Sequence, residues 1–274
     1  MKIAFTKMCA SGNDFVVIDN RDGGFDPRNE ALVRRLCTRR LSVGADGLIL
    51  LEPDDRYAFS MRYFNRDGRE ASMCGNGGRC ISLFAHHLGI SSTEMTFSSP
   101  SGVYSAKLES IQGEQAVVAL SMPEPSEIRP NESLQLGGES VSYGSIDTGV
   151  PHVIRKVDDL DALDIVEEGR RIRNHPRFQE KGTNVDFIEI RGDNRIRIRT
   201  YERGVEGETL SCGTGSTASA LMVSIWTGMK GPIQVGTASG EDLAVSFERE
   251  GERFRHVTLK GEARIIYRGE TSEV

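Results

Sequence analysis

Apolar and polar residues alternate with a period of two in short segments along this chain. Tyr57, Phe59, Met61 and Tyr63 form one such series; Ile196, Ile198 and Thr200, with arginines between them, form another. Because successive side chains of a strand point to opposite faces, this pattern predicts half-buried antiparallel strands. Hairpin turns are expected at Arg191-Gly192-Asp193-Asn194, Gln112-Gly113-Glu114 and Glu250-Gly251-Glu252, each flanked by strand-like runs. A helical period replaces the strand period over Asn29 to Arg39, where Leu32, Val33 and Leu36 share a side, and over Asp164 to Asn174, ahead of Pro176. Two further helical stretches, Ile81 to Leu88 and Ala218 to Trp226, are apolar nearly throughout and run toward Gly89 and Gly228 as C-terminal stops.

What precedes those two apolar helices is an internal echo. Ser72-Met73-Cys74-Gly75-Asn76-Gly77 in the first half is matched by Leu210-Ser211-Cys212-Gly213-Thr214-Gly215 in the second, both containing Cys-Gly-x-Gly. Each copy follows a strand with a turn, Met61 to Arg69 and Arg195 to Glu208. A duplicated unit of strand, glycine loop and buried helix is the simplest explanation. The proline-containing segment Ser121-Met122-Pro123-Glu124-Pro125, near mid-chain, is the expected boundary between the halves.

Length and composition narrow the function. At 274 residues the chain is long enough for two ordinary domains, and 38% hydrophobic with 27% charged residues carries no signature of disorder. A formal charge of -6 disfavours nucleic acid and anionic membranes as partners, which leaves small molecules. No run approaches transmembrane length, so a protein outside the membrane is expected. Cys9, Cys37, Cys74, Cys80 and Cys212 are odd in number, contain no CxxC pair and lack zinc-knuckle spacing. That favours the cytoplasm over a secreted disulfide scaffold and gives no metal site.

A cysteine at a helix start faces unpaired backbone N–H groups and the positive end of the helix dipole, which favours its thiolate and lets it act as a base. The Gly-x-Gly that follows removes side chains from the first turn, so a carboxylate can approach the same N–H donors. Two such helix starts gripping one carboxylate would place a thiol on either side of its α-carbon. One thiolate then removes the α-proton while the other thiol protonates the opposite face, with no pyridoxal phosphate required. For a single copy, a tight entry to a packed helix with cysteine as a small hydrophobe is the simpler reading; it is the repetition in matching contexts that shifts the balance. Neither copy has the Lys-Ser/Thr ending of a P-loop.

Gly12-Asn13-Asp14-Phe15, Gly44-Ala45-Asp46-Gly47, Phe64-Asn65-Arg66-Asp67-Gly68 and Met73-Cys74-Gly75-Asn76-Gly77-Gly78-Arg79-Cys80 resemble the diaminopimelate epimerase family. So do Gly149-Val150-Pro151-His152, Gly182-Thr183-Asn184-Val185-Asp186-Phe187, Tyr201-Glu202-Arg203-Gly204 and Gly207-Glu208-Thr209-Leu210-Ser211-Cys212-Gly213-Thr214-Gly215, in that family's order. The resemblance implies an α+β fold of two pseudo-symmetric domains, each a mostly antiparallel sheet or barrel wrapped around a central helix, with the active site in the cleft between them. It implies halves at 1–120, completed by a C-terminal strand at 263–274, and at 121–262. The implied activity is a cofactor-independent isomerase that interconverts LL- and meso-2,6-diaminopimelate in lysine and peptidoglycan precursor synthesis, cytoplasmic and homodimeric.

By the same resemblance Cys74 and Cys212 are the two bases, with His152 and Glu202 beside them to relay or tune protons. Gly75, Asn76, Gly213 and Thr214 would supply donors to the reacting carboxylate. Asn13, Asn65, Asn184 and Arg203 would hold the substrate's polar ends, Arg203 gripping the distal carboxylate and Glu202 receiving an ammonium group. His86, His87, His175 and His256, and the strand arginines Arg195, Arg197 and Arg199, are read as ordinary surface or packing residues. One departure stands out: Val150 occupies the place of an asparagine in the family's Gly-Asn-Pro-His motif. It leaves open a racemase of the same fold acting on another amino acid, such as histidine, while Asn65, Asn184 and Arg203 together favour diaminopimelate. A non-enzymatic anion-binding or thiol redox protein is the alternative from a different class.

Overall fold

The computed structural model describes residues 2–71 and 73–272. Ser72, which opens the first copy of the echo, lies outside the described residues, as do Met1, Glu273 and Val274 at the ends of the expected first half. The chain divides into two compact units, Met1–Ser121 with Gly261–Val274, and Met122–Lys260.

The first unit begins with β1 (Ile3–Ala10), β2 (Asn13–Asp19), α1 (Glu30–Cys37), β3 (Gly47–Glu52), β4 (Ser60–Asn65) and β5 (Glu70–Ala71). It continues with α2 (Gly75–His87), β6 (Glu94–Ser99), β7 (Gly102–Gln112) and β8 (Gln115–Ser121). The second holds β9 (Ser126–Leu136), β10 (Glu139–Asp147), β11 (Pro151–Lys156), α3 (Ile165–Arg173), β12 (Asn184–Ile190), β13 (Arg195–Glu202) and β14 (Gly207–Thr209). After α4 (Gly213–Thr227), β15 (Ile233–Gly236) and β16 (Asp242–Glu250), the long β17 (Arg253–Thr271) starts in the second unit and ends in the first.

In the first unit the pairings run β1–β2, β2–β3, β3–β4, β4–β6, β6–β7, β7–β8, β8–β17 and β17–β1, which closes a ring. Closure leaves those strands without an open edge. The short β5 hangs on β4 as the returning arm of a turn. The second unit repeats the order: β9–β10, β10–β11, β11–β12, β12–β13, β13–β15, β15–β16 and β16–β17, with β14 hanging on β13 as β5 does on β4. Even the parallel pairs correspond, β2–β3 with β11–β12 and β4–β6 with β13–β15.

Each sheet packs against one helix that is buried nearly all round. In α2 every residue from Gly75 to Ala85 is buried, and in α4 all but Thr214 from Gly213 to Ser224. A helix lacking a polar face has to be surrounded, and each is contacted by strands on several sides. Gly228, at φ 79°, closes α4 in the left-handed conformation with its N–H on Ser224 O. The other helices cover the outside with one apolar stripe each: α1 buries Val33, Leu36 and Cys37, and α3 buries Ile165, Gly169 and Ile172. Both start on an acceptor cap, Asn29 Oδ1 for Leu32 N and Asp164 Oδ1 for Glu167 N.

The expected hairpins fall at the predicted turns. β12 and β13 flank Arg191–Asn194, β7 and β8 flank Gly113, and β16 and β17 flank Gly251. The buried helices start earlier than their apolar stretches suggest, at Gly75 and Gly213. Glycine is a poor helix former, yet the packed surroundings decide here: a Cβ on Gly78 would stand 2.7 Å from Met73 Cε and 2.8 Å from Leu120 Cδ2.

Candidate active site: a cysteine at the start of each buried helix

Both motif cysteines are N-cap residues, in extended conformation, with their sulfurs facing into the first turn. Cys74 Sγ accepts from Gly77 N at 3.4 Å, and Cys212 Sγ accepts from Gly215 N at 3.4 Å. In each unit the thiol therefore occupies the place usually held by a serine or aspartate oxygen, aligned with the helix dipole.

Around Cys74 the first unit builds an amide and ionic network. Asn13 Oδ1 lies 3.7 Å from Cys74 Sγ and 3.5 Å from Asn76 Nδ2, while Asn13 Nδ2 donates to Asp46 Oδ2 at 2.8 Å. Because the Asp46 contact takes the amide nitrogen, the carbonyl oxygen of Asn13 is the atom turned toward the thiol. Asp46 is held by Arg39 at 2.9 Å, and Asp14 by Arg39 at 2.5 Å and the buried Lys7 at 2.8 Å. Burial raises the Asp14 carboxyl, but hydrogen bonds from Arg39 and Lys7 outweigh it and hold the group below its ordinary value. Asn76 is 2% exposed, its Oδ1 accepting from the fully buried Arg79 Nη2 at 3.0 Å; a second bond from that nitrogen goes to Ser11 Oγ at 2.9 Å.

Around Cys212 the second unit places a buried acid and a histidine. His152 Nδ1 meets Asp186 Oδ2 at 2.6 Å, both side chains fully buried, and Thr200 Oγ1 donates to Asp186 Oδ1 at 2.7 Å. His152 Nε2 lies 3.0 Å from Thr214 Oγ1, which lies 3.4 Å from Cys212 Sγ. Glu202, at the end of β13, accepts from Thr209 Oγ1 at 2.8 Å. Burial pushes the Cys212 thiol well above its ordinary pKa, the charges of Glu202 and Asp186 push it further, and the bonds from Thr214 and Gly215 N pull it back only partly. The lowering expected from the helix start is present but is outweighed, so Cys212 rests as a thiol near neutral pH.

The remaining expected site residues are placed as follows. Asn184 Oδ1 accepts from Arg203 N at 2.8 Å and its Nδ2 lies 3.5 Å from His152 Nε2. Arg203 is half-buried and its Nη1 donates to Lys181 O at 2.7 Å. Asn65 is exposed at the end of β4, where its carbonyl accepts from Gly68 N. Val150 is half-buried in the turn between β10 and β11. Arg195, Arg197 and Arg199 line one strand face and are ion-paired with Asp242, Asp161 and Glu208. Cys37 and Cys80 are buried packing thiols; burial raises the first to about 12 and the second well above its ordinary value. Among the described residues no three His, Cys, Asp or Glu side chains stand together as a metal would require, and no helix is long and apolar enough to cross a membrane.

Comparison with known proteins decides the family. The profile of the diaminopimelate epimerase family matches residues 5–126 and 144–266. The chain belongs to the diaminopimelate epimerase family. A curated diaminopimelate epimerase from Chlorobaculum tepidum is 44% identical over 263 residues, covering 96% of this chain and 98% of that protein. One from Aquifex aeolicus is 41% identical, covering 98% of each. At the level of fold alone, a probable proline racemase from Agrobacterium radiobacter superposes with a TM-score of 0.75 at 17% identity, covering 99% of this chain and 93% of that one. A hydroxyproline epimerase from Agrobacterium vitis gives 0.73 at 16% identity, covering 98% and 92%.

Asp186, Thr200, Lys7, Arg39, Asp46 and Arg79 were not singled out as site residues by sequence reasoning. For Asp186 a signal was present: it is an acid within the otherwise apolar run Val185-Asp186-Phe187-Ile188, where an ionisable group has to be satisfied by partners.

Proposed function

We propose that the chain is a diaminopimelate epimerase, which interconverts the LL and meso forms by exchanging the proton on one α-carbon between Cys74 and Cys212. The observation that carries this reading is the repeated placement of a thiol as N-cap of a buried, glycine-opened helix in each of two similarly wound units. One thiolate removes the α-proton and the other thiol delivers its own to the opposite face. Charge moving onto the substrate carboxylate is met by N–H groups of the helix starts at Gly75, Asn76, Gly213 and Thr214. The chemistry asks for no pyridoxal phosphate and no metal.

In this reading Asn13, Asn65, Asn184 and Arg203 bind the polar ends of the substrate, and Glu202 and His152 manage protons at Cys212. A distal carboxylate matches the two-point grip of a guanidinium, which favours diaminopimelate over an amino acid without a second polar end. The same reading makes the protein a cytoplasmic homodimer, for which a gel-filtration mass of twice the chain is the test. Purified chain incubated with LL-diaminopimelate should yield the meso form on chiral chromatography. No conversion, with histidine or another amino acid racemised instead, would move the substrate assignment.

A further inference from the structure

Between β13 and β14 the chain reverses over residues 203–206, with Glu202 paired to Gly207 across the strands and Glu206 N donating to Glu202 O at 2.8 Å. Two residues of this turn have positive φ, Gly204 at 89° and Glu206 at 54°. Glycine takes that conformation at no steric cost, whereas a glutamate there is strained and persists only where its surroundings hold it. What holds Glu206 is its own carboxylate. Oε1 accepts from Gly204 N at 3.1 Å and lies 3.5 Å from Arg173 Nη2, and Oε2 accepts from the Tyr201 hydroxyl at 3.2 Å. Tyr201 is buried close against Gly169 of α3, so the carboxylate ties the turn to packed parts of the second unit. Arg203, on the same turn, is anchored by other groups: its N donates to Asn184 Oδ1 at 2.8 Å and its Nη1 to Lys181 O at 2.7 Å. Its side chain runs over Gly182, where a Cβ would stand 2.8 Å from Arg203 Cδ and 3.2 Å from Arg173 Cζ. Arg173 of α3 therefore stands beside both the Glu206 carboxylate and the glycine that Arg203 crosses.

We propose that Glu206 is a positioning residue for Arg203: its carboxylate, bonded to Tyr201, Gly204 and Arg173, sets the turn and so the reach of the guanidinium toward the distal carboxylate of the substrate. The inference rests on Arg203 being the distal grip of the proposed function. The distal end of the substrate does not react, so its grip is equally strong in the ground state and the transition state and contributes affinity rather than acceleration. Glu202 keeps anchors of its own, the Thr209 hydroxyl at 2.8 Å and the strand pairing with Gly207. A loosened turn therefore weakens binding and leaves the chemistry at the α-carbon in place.

Two variants of the full chain separate the carboxylate's bonds from its charge. In Glu206→Gly the backbone keeps its angle without strain and loses every side-chain contact. In Glu206→Gln the amide oxygen can still accept from Gly204 N, and the amide nitrogen can donate to the Tyr201 oxygen, because a phenol hydroxyl both donates and accepts. Initial rates on LL-diaminopimelate should show KM raised at least roughly tenfold in Glu206→Gly with kcat within about threefold of the parent, and Glu206→Gln should restore KM. Hydrogen exchange of the free proteins, followed by mass spectrometry, gives a second readout that needs no turnover. Amides of residues 203–206 should exchange faster in Glu206→Gly, while β12 and α4 keep the parent's protection. A lower kcat at unchanged KM would make Glu206 a merely structural residue and overturns the proposal. So does parent-like KM and exchange in Glu206→Gly, or a Glu206→Gln that behaves like Glu206→Gly, since charge would then be the operative feature. If the parent chain does not epimerise diaminopimelate, the substrate reading fails by itself, and the exchange pattern alone decides whether Glu206 sets the turn.

Discussion

In the second unit Gly215 sits close against the Asp186 carboxylate, and Gly215→Ala probes that contact. On helix propensity alone the change should stabilise α4 by about 1 kcal/mol. An ideal Cβ, however, would stand 2.5 Å from Asp186 Oδ1, 3.1 Å from Cγ and 3.3 Å from Oδ2. The carboxylate has nowhere to retreat, since its oxygens are committed to Thr200 at 2.7 Å and His152 at 2.6 Å and the side chain is fully buried. Displacing it sacrifices a charge-assisted hydrogen bond, worth about 1.5 to 3 kcal/mol, and overpacks the helix start by about 1 to 3 kcal/mol. After the helix gain, a net loss of about 1.5 to 5 kcal/mol remains. At roughly 2 to 4 °C per kcal/mol for a unit of this size, the melting midpoint should drop by at least about 3 °C, and epimerase turnover should fall with it. Gly207→Ala is the control, because nothing lies within 4 Å of the added carbon. Thermal unfolding followed by circular dichroism at one scan rate compares the three proteins. Gly215→Ala melting with the parent, at parent activity, would refute the contact and with it the placement of Asp186 beneath the helix start.

Cys74→Ala and Cys212→Ala should each abolish epimerisation while leaving the far-ultraviolet spectrum and melting midpoint near the parent, since each removes one base from one face. Arg203→Lys should lower kcat/KM on diaminopimelate at least roughly tenfold although the charge is kept, because an ammonium cannot make a planar two-point grip. Val150→Asn should be tolerated or mildly beneficial in the same assay. Asp14 has a folded-state pKa below its unfolded value, so its contribution to stability is present above the unfolded value near 3.9 and is lost as pH falls through the lower one. Asp14→Asn should therefore destabilise the chain at pH 7 in urea titrations and flatten the loss of stability at acid pH.

Much of the fold was legible because local signals agreed with it. Asn29 and Asp164 cap the helices they precede, glycine turns sit between the strands they were expected to join, and the Cys-Gly-x-Gly echo marks the two buried helix starts. The parallel pairs β2–β3 and β11–β12 were not legible, since periodicity reports a strand's faces but not its neighbour. Strand β9 also escaped: it is largely exposed, contains Pro130 and buries Leu134 and Leu136 only at its end. At the site, residue types indicated thiols and a carboxylate binder, but what surrounds each thiol is brought in from distant segments. Asp46 reaches Asn13 and Asp186 reaches His152 across intervals that no local pattern spans. At Cys212 the helix start is visible in sequence, whereas the burial and the two carboxylates that outweigh its pull on the thiol are not.

The central claim is that two bases work on opposite faces of one α-carbon, and isotope entry in deuterated water tests it most directly. Starting from LL-diaminopimelate, early samples are separated into remaining substrate and meso product, and the α-deuterium in each is measured by mass spectrometry. With Cys74 and Cys212 on opposite faces, the proton is removed by one thiolate and replaced from the other thiol, so deuterium should appear in the product while recovered LL substrate stays unlabelled. Deuterium accumulating in recovered substrate as fast as in product would mean that one base returns a proton to the face it took it from, and would contradict the two-base reading.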